Sequence, residues 1–204
     1  KGITFQMVDI LFTACLFILA FLIRWKLMPI ESADYFGFLE PWMEAIRTNG
    51  GWRSLSMEIS NYTSPYMYIM TLLSYISTND LYALKLVSVA FDYFAAIAVL
   101  RILYHMTGNL RKSILGMAVL LLSPTVIIDS AYWCQCDIIY TLLILASVYY
   151  LMNNRTWMGM WFYGAAFAVK LQTLFIFPFL VILWVRKKVD LKHFITIPVM
   201  YFVG

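Results

Sequence analysis

Apolar residues run in long blocks along this chain, and polar residues gather between them. A block of about 20 apolar residues is the length of a helix that crosses a bilayer. The pattern predicts a first span over Ile3–Ile23, then an amphipathic stretch, Arg24–Asp80, that holds most of the acidic residues. Apolar runs follow at Leu81–Tyr104, Ser113–Ser130, Asp137–Met152, Trp157–Val185 and Phe194–Gly204. Within the amphipathic stretch, Phe38, Trp42, Ala45 and Ile46 recur at helical spacing as far as Gly50-Gly51. That spacing predicts a helix lying along the membrane and ending at the glycines. Ser64–Ser77 is apolar but short and opens at Ser-Pro, which predicts a second interfacial helix with its tyrosines at headgroup depth.

Basic residues orient the spans. Arg111 with Lys112, Arg155, and Arg186-Lys187-Lys188 mark three turns that the positive-inside rule assigns to the cytoplasm. Trp157–Val185 then has both ends on one side, too long for one ordinary span and short for two. Lys170 and Gln172 near its middle predict two short helices meeting at a polar turn by the outer face, with Pro178 in the second. The expected fold is an all-α polytopic membrane protein. It has about seven transmembrane helices and a long first outer loop, residues 24–80, containing interfacial helices. The whole chain, 1–204, reads as one transmembrane module without an internal repeat. It opens on Lys and closes inside an apolar run, so a fragment of a longer chain is expected.

Composition removes the soluble alternatives. Hydrophobic residues make up 63% and charged residues 13%, with a mean hydropathy of +0.78; soluble domains carry about a quarter charged residues. Three cysteines are too few for a disulfide framework, and Cys134 and Cys136 are one residue apart. His105 and His193 stand alone, without zinc spacing. No cleavable leader is visible after the first apolar run. The surroundings are membrane lipids, and no nucleic-acid partner is expected.

Three places carry chemistry. Asp34 follows the first span closely; it is either the N-cap of the interfacial helix or a surface carboxylate able to take a hydroxyl proton. The turn Asp129–Asp137 packs Trp133, Gln135 and Asp137 onto the same outer side. Asp137 suits a helix start, and with Asp34 it suits a divalent cation completed by phosphate oxygens. Lys170 with Gln172, and Arg24 with Lys26 at the end of the first span, suit a phosphate at the lipid boundary. Snorkelling to the headgroups accounts equally well for Arg24 and better for Lys26. Asp92, one turn from Ser88 inside a span, calls for a polar partner across the bundle.

The ordered elements are Asp34-Tyr35-x-x-Phe38-x-x-Pro41-Trp42, Gly50-Gly51-Trp52, Tyr62-x-x-Pro65-Tyr66, Trp133-x-Gln135-x-Asp137-x-x-Tyr140 and Phe167-x-x-Lys170-x-Gln172. Together with a Lys-Leu-x-Ser span holding Asp92, this order resembles the GT-C membrane glycosyltransferases. The nearest resemblance is to the bacterial mannosyltransferase group related to the second mannosyltransferase of GPI-anchor synthesis. The resemblance implies the GT-C N-terminal module and an inverting transfer of a sugar from a polyprenyl-phosphate donor. The acceptor would be a lipid-linked glycan or a cell-surface polymer, and the active site would lie on the extracytoplasmic face of the plasma membrane. It implies Asp34 as catalytic base and Arg24, Lys170 and Gln172 as donor-phosphate ligands. Glu40, Tyr62, Trp133 and Gln135 would bind substrate, and Asp137 with Asp34 would hold any Mg or Mn ion. Cys134 stands where that group has glycine. A transporter or flippase for lipid-linked glycans, and a non-catalytic membrane subunit, are the competing readings; polar groups gathered at one face favour surface chemistry.

Overall fold

The computed structural model describes residues 6–203. The described residues form helices and turns and contain no strand. The predicted start of the first span at Ile3 lies outside the described residues. Helix α1 runs Met7–Leu27, four residues past the predicted end of the span at Ile23, and carries Arg24 and Lys26 in its last turn. A π-helical turn, Tyr35–Leu39, leads into α2, Glu40–Thr48. Gly50 and Gly51, with φ of 82° and 64°, then reverse the chain in a conformation that side-chain-bearing residues resist. Helix α3 is Ser64–Ile76, with Pro65 in its first turn, where a missing N–H costs nothing.

Helix α4, Asp80–Thr107, has 28 residues and a mean hydropathy of 2.0, and α1 has 21 residues and 2.3. Both are long and apolar enough to cross a membrane. The run Ser113–Ser130, expected to be one span, is divided. Helix α5, Leu110–Leu121, meets Pro124–Tyr132 at a 48° bend, the latter comprising α6, Pro124–Ile127, and a π-helical turn. Ser123 is extended, as a residue before proline tends to be, and Pro124 opens the second piece. By length and composition the described residues hold two membrane-crossing helices, or three if this bent pair is one span.

The remaining apolar runs form shorter helices. They are α7, Asp137–Met152; α8, Thr156–Val169; α9, Phe177–Val185; and α10, Thr196–Val203. The predicted break in Trp157–Val185 falls at Lys170, which is extended between α8 and a 3-10 turn, Leu171–Ile176, that leads into α9. Helix α8, at 14 residues, is about 21 Å long, short of a hydrocarbon core of about 30 Å.

The chain divides into two compact units. The first combines Lys1–Tyr35 with Leu81–Ile138, and the second combines Phe36–Asp80 with Ile139–Gly204. In the first, Leu16 and Ala20 of α1 pack with Ala96 and Leu100 of α4 and with Met117 and Leu121 of α5. In the second, Met160 and Tyr163 of α8 pack with Leu180 and Val189. Gly164 brings α8 against α10: a Cβ there would stand 2.7 Å from the Thr196 carbonyl oxygen. Arg47 of α2 holds a bidentate ion pair with Asp80 and donates to the Ser77 carbonyl at 2.9 Å, joining α2 to the turn after α3.

Candidate functional site

In the first unit, Ser32 organises the exit from α1. Its Oγ accepts the Tyr35 N–H at 3.1 Å and donates to the Trp133 carbonyl at 2.9 Å. The helical segment opening at Ala33 is therefore capped by Ser32, and the N-cap reading of Asp34 is replaced. Asp34 is half-buried, and its Oδ2 accepts a hydrogen bond from Gln135 Nε2 at 2.8 Å. Two motifs 101 residues apart thus meet in one contact.

The turn that supplies Gln135 is closed by two backbone hydrogen bonds. Trp133 N–H donates to the Ile128 carbonyl at 2.8 Å, and Gln135 N–H to the Asp129 carbonyl at 2.9 Å. Between them Cys134 has φ of 65°, the left-handed region that glycine enters freely and other residues resist. Its side chain is fully buried. Burial pushes the thiol pKa up to about 12, and nearby Lys85 pulls it partly back. Trp133 is exposed, and Asp137 is half-buried at the first residue of α7. Among the described residues no group of three or more His, Cys, Asp or Glu is arranged to hold a metal ion.

The second unit contains a cation among aromatic rings. Lys170 Nζ lies 5.6 Å from the Tyr62 ring centre and 6.0 Å from that of Tyr140, within cation–π range. Tyr62 meets Trp42 edge-on at 5.2 Å and Tyr66 at 5.4 Å, and Trp42 meets Phe38 at 5.8 Å. Thr63 Oγ1 donates to the Val169 carbonyl at 2.6 Å, tying the start of α3 to the residue before Lys170. Beside Tyr62 opens a cleft of about 210 Å³ lined by Glu58, Ser60, Ser64 and Tyr68. Gln172 and Glu40 are exposed.

Arg24 lies elsewhere than expected. It is fully buried in the first unit, and its Nε donates to Asp92 Oδ2 at 2.8 Å. Ser130 Oγ donates to the same oxygen at 2.6 Å. Asp92 therefore has the cross-bundle partner its position called for, met through the Arg24 Nε, while the buried Arg24 Nη2 has no hydrogen-bond partner among the described residues. Sequence reading missed Ser32, although a serine just before a helical segment is a capping signal. It also used Lys85 only within the Lys-Leu-x-Ser pattern and missed the partners of its buried Nζ, which donates to the carbonyls of Leu27, Met28 and Ile30 at 3.1, 3.2 and 2.6 Å. A lysine inside an apolar span was the available signal.

The chain matches no protein-family model, no curated protein and no solved structure.

Proposed function

We propose that the protein is an inverting glycosyltransferase that moves a sugar from a polyprenyl-phosphate donor to a lipid-linked glycan or cell-surface polymer. The observation that carries the reading is the Asp34–Gln135 hydrogen bond. A carboxylate relieved of capping and oriented by an amide is suited to general-base work. Asp34 takes the proton from the acceptor hydroxyl as its oxygen bonds to the anomeric carbon. The bond from that carbon to the lipid phosphate breaks on the opposite side, and configuration inverts. Gln135 holds the carboxylate in place.

On the sequence resemblance alone, Lys170 would bind the departing phosphate; within the second unit its charge is kept near the rings of Tyr62 and Tyr140. Aromatic rings of the Trp42–Tyr62 kind suit the C–H faces of a sugar, and Gln172, Glu40 and Trp133 supply outlying contacts. A divalent cation on Asp34 and Asp137 would complete its shell from phosphate and water. Arg24 has no part in donor binding in this reading, because Asp92 occupies it. In the full topology the protein crosses the plasma membrane about seven times, with these residues on the extracytoplasmic face.

The test uses full-length protein in membranes, radiolabelled polyprenyl-phosphate sugar and an acceptor-lipid extract. Asp34→Asn lowers transfer by about 10²–10⁴-fold with donor binding retained. Unchanged transfer removes Asp34 as base. A buried ion pair inside a candidate span also occurs in transporters, so labelled lipid crossing the bilayer without sugar transfer would install that reading instead.

A further inference from the structure

In the second unit, the turn after α7 and the turn after α9 line one cleft of about 250 Å³. Asn154 has φ of 56° and Lys187 has φ of 55°, so each turn reverses through a left-handed residue. Those reversals bring Asn154 and Lys188 to the same opening. The walls are Val148 and Leu151 from α7, and Phe179 and Leu183 from α9. The cleft is thus apolar along its length and polar at one end.

Charge in the two turns that form that end is mostly positive: Lys188 lines the cleft, and Arg155, Arg186 and Lys187 are exposed in the same turns. The nearby acid, Asp190, is paired with Lys192 at 3.2 Å. A soluble anion would gain nothing from the apolar walls, and an uncharged lipid nothing from the cations. An anionic headgroup joined to a hydrocarbon chain uses both. We propose that this cleft is a binding site for an anionic glycerophospholipid, its phosphate at Lys188 and Asn154 and one acyl chain along Val148, Leu151, Phe179 and Leu183.

The experiment is native mass spectrometry of the full-length protein released from micelles containing equal phosphatidylglycerol and phosphatidylcholine. The wild type retains phosphatidylglycerol in preference. Lys188→Gln lowers that preference about fivefold, the share of one cation at the surface. Lys112→Gln, an exposed lysine of the first unit, leaves it unchanged. Val148→Trp fills the cleft and removes retention of both lipids. Equal retention of the two lipids by the wild type overturns the proposal and points to a protein segment covering the cleft. Equal losses from Lys188→Gln and Lys112→Gln overturn it as well, because they report diffuse surface charge.

Discussion

The buried pair of Arg24 and Asp92 makes a prediction that separates packing from ligand binding. Both side chains are fully buried, and their contact is 2.8 Å. Replacing Asp92 with leucine leaves the guanidinium facing only the Ala20 carbonyl at 3.2 Å and the Tyr93 ring at 6.0 Å. An uncompensated charge in such a place destabilises by about 3–5 kcal/mol. For a chain of this length, that lowers the unfolding midpoint by about 6–20 °C. Arg24→Met strands the carboxylate and should cost a similar amount, with Ser130 still donating to it. The double variant, Arg24→Met with Asp92→Leu, recovers most of the loss, since apolar residues of like volume replace a buried pair at little cost. The assay is thermal unfolding in mild detergent followed by circular dichroism, alongside donor binding. If the two single losses simply add in the double variant, the pair is not coupled and the argument fails. If Arg24→Met instead abolishes donor binding at unchanged stability, Arg24 belongs to the donor site after all.

Further outcomes follow from three other positions. Cys134 stays unalkylated in the folded protein at pH 8, because burial holds its thiol neutral; mass spectrometry after maleimide treatment should find it labelled only on unfolding. The unfolded thiol ionises near pH 8.5, so the Cys134 contribution to stability is intact below that pH and falls as pH rises toward 12. Gly164→Ala forces a methyl against the Thr196 carbonyl and Met200, and should destabilise by about 1–3 kcal/mol in the same thermal assay. Gly37→Ala, with nothing within 4 Å of the added carbon, should change little.

Much of the helical plan is legible from periodicity because the bilayer demands long uninterrupted apolar blocks. Asp137–Met152 coincides with its predicted run, and the break at Lys170 was announced by two polar groups in an apolar stretch. The bend before Pro124 was not read, although Ser123-Pro124 repeats the Ser-Pro signal that correctly opened α3. Hydropathy averages across a proline; the backbone does not. The site was legible as two separate fragments. Asp34 and Gln135 were each singled out by chemistry, but only folding brings them together. Arg24 shows the opposite case, a cation whose partner lies 68 residues away and whose position alone suggested a lipid phosphate.

Lys85 sets an order of events during synthesis. The Leu27 carbonyl accepts the Ile30 N–H locally at 3.2 Å, but it and the carbonyls of Met28 and Ile30 gain their shared ammonium only when a residue encoded 58 positions after Leu27 arrives among them. At a translation rate of about 5–20 residues per second, α1 waits roughly 3–12 s for that ligand. Until then its C-terminal turn has only its local hydrogen bonds, and the segment carrying Ser32 and Asp34 follows an end that lacks its ammonium. A ribosome stalled between these two codons would therefore leave α1 present but its exit unset. Protease or thiol probes placed at residues 28–35 of a stalled nascent chain would register the moment of closure.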